Sequence, residues 1–177
     1  MTIRKTSKRI GEMDRRQIAI ASALGITVTA IVSALAIQMV GYEPCVLCLR
    51  QRIPYYVAIP ILAAALASSF AGGKFAGWTR PLMWLGGLCF SVSFVLGVHH
   101  VGVEMGWWAG PSSCVTRTFD MSSIDAFAAQ IAGTKMVSCN TPSFTLLGFS
   151  LAWWNVAVSL VAHIILSAVL VLETRRS

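Results

Sequence analysis

Four long runs of the sequence contain no charged residue: Gln17 to Val40, Ile53 to Ala71, Pro81 to Val103 and Asn140 to Leu172. A helix rising 1.5 Å per residue needs roughly 20 apolar residues to cross about 30 Å of hydrocarbon. Each run is long enough. The composition agrees, with 56% hydrophobic and 12% charged residues, against about 25% charged in ordinary soluble domains. The expected fold class is an all-α integral membrane protein, a four-transmembrane-helix bundle forming one domain. The runs place its helices at about 17–40, 53–71, 82–103 and 144–172, with loops at about 41–52 and 104–143.

The net charge of +7 invites a nucleic-acid reading, but its distribution argues otherwise. Arg4, Lys5, Lys8, Arg9, Arg15, Arg16, Lys74, Arg80, Arg175 and Arg176 fall on one face if the chain crosses four times. That is ten of the fourteen basic residues. The positive-inside rule then puts both termini and the Lys74 connection in the cytoplasm, and residues 41–52 and 104–143 outside. An orientation signal accounts for the charge, and no nucleic-acid partner is expected. The first run follows a basic segment and contains Ala34-Leu35-Ala36, as a signal peptide would. Its apolar stretch is far longer than an h-region and continues to Val40, so a retained helix is expected.

The outer loops are unequal. The longer one opens with "GWWAGPSSC", in which Trp107 and Trp108 suit the membrane interface and Gly110-Pro111 marks a turn. Farther on, Ile124, Phe127, Ala128 and Ile131 repeat at helical spacing. Ser122 and Asp125 form a capping-box pattern, and Gly133 supplies a stop. A short amphipathic helix lying on the membrane surface is expected there.

Topology sorts the five cysteines as four plus one. Cys45, Cys48, Cys114 and Cys139 fall on the outer face, whereas Cys89 lies inside the third helix as a small apolar residue. An oxidising compartment favours disulfides, so two loop pairs are expected. A zinc site made of four thiolates is disfavoured, because only Cys45 and Cys48 have the usual ligand spacing. Two structural staples are the plainer alternative. Against them, a Cys-x-x-Cys disulfide closes so small a loop that it restrains little chain entropy.

The stretch "GYEPCVLCLRQR" favours a working redox pair. Pro44 suits the first position of a helix, which would place both thiols at its positive end, where a thiolate is stabilised. Arg52 follows Cys48 by four residues and so shares its face. Pro54 cuts the other way, since it could itself start the helix and leave the pair in a loop. Haem ligation is disfavoured, because His99 and His100 belong to the outer end of the bundle and His163 to the inner end. No metal site is expected.

Taken together, four helices, "PCVLCLRQR" opening the second, a long loop with Cys114 and Cys139, and inner termini resemble DsbB, the bacterial inner-membrane disulfide bond formation family. "GVEMGWWAGPSSC" and the segment from Cys139 to "SLAWWN" are similar to members of it as well. The resemblance implies a thiol oxidase that re-oxidises a soluble periplasmic thioredoxin-fold oxidase, DsbA, and passes electrons to a membrane quinone, ubiquinone or menaquinone. It implies that Cys114 is attacked by the reduced partner and that Cys139 is its disulfide mate. Cys139 then attacks Cys45, leaving Cys48 as the thiolate that faces the quinone. Arg52 matches the family's quinone-binding arginine. The family's histidine falls in "GVHHVGVEMG", where His99, His100 and Glu104 are alternatives; His100 and Glu104 are taken as quinone-site residues. Two other readings remain at this point: an enzyme like vitamin K epoxide reductase, and a membrane scaffold with fixed disulfides.

Overall fold

The computed structural model describes residues 14–71, 73–111, 139–140, 142 and 144–175. Cys114, the expected surface helix around Ile124, and the basic segment before Asp14 lie outside the described residues. Four helices long and apolar enough to cross a membrane make up the rest: α1 (Arg15–Met39), α2 (Val46–Ala71), α3 (Ala76–Glu104) and α4 (Leu151–Thr174). A single 3₁₀ turn, Gly73–Phe75, joins α2 to α3. Two short antiparallel strands, β1 (Thr145–Leu146) and β2 (Phe149–Ser150), lead into α4.

The helices pack in a ring in which α1 touches α2 and α4, and α3 touches α2 and α4. The seam is made by Ile20, Leu62, Met83, Phe90, Leu166 and Leu170, all buried. Small residues let the backbones approach, as expected where packing rather than water exclusion drives association. A Cβ at Gly86 would stand 2.8 Å from Leu62, and one at Gly97 would stand 2.8 Å from Val156. Trp84, Leu88, Val92 and Val95 of α3 stay exposed and form its lipid-facing stripe. At the end opposite the cysteine pair, Arg16 and Glu173 pair at 2.7 Å, tying the start of α1 to the end of α4.

The two helices that run toward the cysteine-bearing end stop in the same way. After α1, Gly41 takes φ +103°, and the amides of Gly41 and Tyr42 close on the carbonyls of Gln38 and Ile37. After α3, Gly106 takes φ +72°, and the amides of Gly106 and Trp107 close on Val103 and Gly102. Both are Schellman turns, which satisfy the last carbonyls and need a left-handed residue that only glycine adopts cheaply. They set where the loops begin.

Two expected boundaries are corrected. The second helix begins at Val46, not near residue 53, and runs through Pro54 and Pro60 without a break. Cys45 supplies the start: its carbonyl accepts from the Leu49 amide at 3.1 Å, so Cys45 is the N-cap and Pro44 precedes the helix. Proline inside a membrane helix removes one hydrogen bond but is tolerated where neighbouring helices pack around it, and Pro54 is buried. The fourth helix begins at Leu151 rather than near residue 144, because residues 145–150 form the hairpin. Ser150 caps it, accepting from the Trp153 amide at 3.5 Å.

Candidate functional site

The site begins with the N-terminal turn of α2. Cys45 Sγ accepts from the Cys48 backbone amide at 3.3 Å, the position in which a serine oxygen would cap the helix. The Cys48 thiol lies 3.1 Å from the same sulfur. Both cysteines are free thiols, as is Cys89. The pair is the reduced form of a Cys-x-x-Cys centre, with the helix terminus aimed at its first sulfur.

From α3, His100 reaches the pair from behind. It is 2% exposed, and its Nε2 lies 3.6 Å from Cys45 Sγ. Gln51, one turn after Cys48, holds the other side of the ring at 2.8 Å from Nδ1. With the Gln51 amide donating to Nδ1, Nε2 carries the proton and donates toward Cys45. Glu104 Oε1 stands 3.7 Å from the same Nε2, and its other oxygen accepts from the Ser150 hydroxyl at 2.6 Å. Two consecutive histidines thus have separate work. His99 instead stacks on Trp108 at 5.9 Å, and Trp108 donates to the His99 carbonyl.

These contacts fix the charge of the dithiol. The Cys45 thiol is pulled well below the usual thiol range, chiefly by the hydrogen bond from Cys48, against the opposing effect of burial; His100 and the Cys48 amide add to the lowering. Because the folded value lies below the unfolded one, this thiolate stabilises the reduced fold in full above the ordinary thiol range, and the contribution fades as pH falls through the lowered value. The expected result is an alkylation rate at Cys45 that stays flat from pH 8 to about pH 6. An ordinary thiol loses about tenfold per pH unit over that range. Peptide mass spectrometry after timed iodoacetamide pulses reads it, and a tenfold fall per unit would refute the assignment.

Two features flank the pair. On the loop side, Cys139 packs in one buried cluster with Cys45, Leu47 and Val103. Cys139 is disulfide-bonded and 1% exposed. On the membrane side lies a cavity of about 600 Å³ between α1, α2 and α4. Its walls are mostly apolar, with Ile26, Ala30 and Ile37 from α1 and Leu151 and Val158 from α4. Cys48, Gln51, Arg52 and Tyr55 supply its α2 wall. Arg52 is 9% exposed and turns inward to the end of α1, donating to Gln38 Oε1 at 2.9 Å and to the Ala34 carbonyl at 3.4 Å. The carbonyl end of a helix is a favourable place for a cation. Arg52 is therefore not the snorkelling interfacial anchor that an arginine near a helix end often is.

The four residues expected at the ligand site, Arg52, Cys48, His100 and Glu104, fall into two groups. Cys48 and Arg52 line the cavity, but His100 and Glu104 do not. They sit on α3, where His100 approaches Cys45 and Glu104 approaches His100. His163 lies deeper, between Gly87, Ser91 and Ser167, away from both cysteines of the pair. Sequence reasoning also missed Gln38 and Gln51. Gln38 was visible as an amide in an otherwise apolar helix end, and Gln51 stands one turn beyond Cys48 between Arg50 and Arg52.

A cysteine pair set between a buried disulfide and a membrane cavity is suited to passing electrons from one to the other. A family model described as disulfide bond formation protein DsbB matches residues 15–169. No curated relative and no solved structure matches the chain significantly. The family match runs from the start of α1 into α4 and takes in the cysteine pair and the loop cysteines, and the chain belongs to the DsbB family of membrane disulfide bond formation proteins.

Proposed function

We propose that the protein is a quinone-dependent disulfide oxidoreductase that re-oxidises a soluble, DsbA-like thioredoxin-fold oxidase. One observation carries the reading: Cys45 shares a buried cluster with the disulfide-bonded Cys139, while Cys48, one turn on, lines the cavity with Arg52. The pair is the link between an aqueous loop and the bilayer.

In this reading Cys114 is the mate of Cys139. The reduced partner's thiolate attacks Cys114, forming a mixed disulfide and releasing Cys139 as a thiolate. The partner's second thiolate then displaces Cys114, so the partner leaves oxidised. Cys139 attacks Cys45 of the oxidised pair and releases Cys48. Cys114 closes back onto Cys139 and frees Cys45, leaving the dithiol. Two electrons and two protons have moved inward at that stage. A quinone in the cavity supplies the two-electron, two-proton acceptor that completes the cycle. The apolar walls suit a flat prenylated ring, and Arg52, held by Gln38 and Ala34, presents a fixed cation beside Cys48 for negative charge developing there.

His100 and Glu104 serve Cys45 instead. When Cys45 is released as a thiolate, His100 Nε2–H is in place to hydrogen-bond it, with Gln51 fixing the tautomer. Absorbance of the quinone, followed with purified protein and a reduced thioredoxin-fold substrate, tests the reading; no quinone consumption by folded protein would end it.

The same reading places both termini and residues 73–80 in the cytoplasm and residues 104–143 in the periplasm of a bacterial inner membrane. Single cysteines introduced into a cysteine-free chain test this. An impermeant maleimide applied from outside should label position 140 and spare position 74. The opposite pattern would take the redox pair out of its oxidising compartment.

A further inference from the structure

The cysteine pair and His100 make a donor set that the redox cycle does not require in this form. Cys45 Sγ, Cys48 Sγ and a His100 ring nitrogen lie within 4.8 Å of one another. From these positions we propose that the reduced pair, with His100, is a Zn²⁺ site, and that zinc binding there withholds the dithiol from oxidation. This goes beyond electron transfer and does not depend on which acceptor the cavity takes.

Zinc takes thiolates at about 2.3 Å and imidazole at about 2.0–2.1 Å in tetrahedral array. Those lengths put two sulfurs about 3.8 Å apart and a sulfur and nitrogen about 3.6 Å apart. The observed Cys45–His100 separation is 3.6 Å, and the two sulfurs, at 3.1 Å, need only part slightly. That motion is a rotation of Cys48 about its own side chain. Three protein donors leave a fourth position for water, with Glu104 3.7 Å from the imidazole nitrogen.

Charge and proton balance are met locally. Two thiolates neutralise the dication, so the loaded site carries no net charge into a buried place. Coordination releases the one proton the pair shares and moves no electrons. His100 must ligate through Nε2, so its ring proton passes to Nδ1. Gln51 is already 2.8 Å from Nδ1 and can accept there through its amide oxygen after a flip. Such an outer hydrogen bond to a ligating histidine orients it and typically sets 10–100-fold of metal affinity.

Oxidation abolishes the site, because a disulfide offers no thiolate. Zinc and oxidant therefore compete for one pair of sulfurs. The rest of the enzyme cycle would run without metal, and zinc would act as a brake on it.

The test uses the full chain in detergent with Cys114→Ser and Cys139→Ser, which removes the loop thiols from the count. Reduced protein should hold one zinc per chain, measured by elemental analysis after desalting. It should also protect Cys45 and Cys48 from alkylation. The same polypeptide with the pair oxidised should hold none, a comparison that needs no further mutation. Added Cys45→Ser or Cys48→Ser should each weaken zinc binding by at least about 100-fold, and Gln51→Ala by about tenfold. Substoichiometric zinc in the reduced protein would overturn the proposal. So would equal zinc in the oxidised form, or zinc affinity unchanged by His100→Ala. Turnover measured without metal assays the oxidase reading separately, so the two can fail independently.

Discussion

Cys139→Ser should abolish oxidation of the soluble partner, with residual turnover indistinguishable from the uncatalysed rate. In the proposed path this side chain carries the electrons from the outer disulfide to the inner pair. It is buried against Cys45, and a hydroxyl can neither hold the disulfide nor attack one. Cys114→Ser should do the same from the other half of the bond. The matched control is Cys89→Ala. Cys89 is a free thiol packed against the bundle seam, outside the cluster that holds Cys45 and Cys139. Its loss should change turnover by less than about twofold while costing at most about 1 kcal/mol of packing. Steady-state oxidation of a reduced substrate, in protein verified as folded by circular dichroism, decides the matter. Full activity in Cys139→Ser, or none in Cys89→Ala, would overturn the proposed path.

Arg52→Gln should cut quinone efficiency by about tenfold to a hundredfold, with affinity for the soluble partner unchanged. A hydrogen bond to a charged group contributes about 1.5–3 kcal/mol, and each 1.4 kcal/mol is tenfold in kcat/KM. The guanidinium is already immobilised by Gln38 and Ala34, so little ordering remains to be done when a ligand arrives. Lysine should recover only part of the loss, because it keeps the charge without the planar fork. Gln38→Ala frees the arginine without removing it, and its effect should be smaller than that of Arg52→Gln. The measurement is the quinone-concentration dependence of turnover at fixed pH and saturating partner. An unchanged dependence in Arg52→Gln would reduce Arg52 to a strut between α1 and α2.

The bundle was legible because its signal is long-range and simple: apolar runs of about 20 residues have the length of a helix, not of a barrel strand, when they cross hydrocarbon. Helix ends were less so. Nothing in the spacing of Pro44, Cys45 and Pro54 distinguishes a helix that starts before the cysteine pair from one that starts after it. The choice depends on whether Cys45 can cap, which is a matter of one sulfur and one amide. The start of α4 was misjudged for a related reason. Leu146, Leu147 and Phe149 read as helix continuation, yet Leu147 takes φ +54° in the turn of a hairpin, a place more often filled by Asn or Gly.

The site was legible in its residues and not in its arrangement. Cys48 and Arg52 share a face because they are four apart, and that rule needs no tertiary knowledge. Placing His100 and Glu104 relative to Cys45 and the cavity required knowing which side of α2 would meet α3. Both α2 and α3 are apolar nearly all round, so no stripe of polarity announces which face meets which neighbour. The cavity is likewise absent from the sequence, since it is the space left where three helices diverge.

The capping role of Cys45 has a thermodynamic consequence. The Cys48 amide and His100 bind the sulfur most strongly as a thiolate, a form that exists only while the pair is reduced. Whatever they contribute therefore favours the dithiol over the disulfide and raises the reduction potential of the pair. A helix cap is typically worth about 1 kcal/mol. At about 1.4 kcal/mol per 30 mV for two electrons, that is about 20 mV toward a stronger oxidant. The first hydrogen bonds of α2 and the electron affinity of its cysteines are thus one quantity, set by how well a sulfur ends a helix.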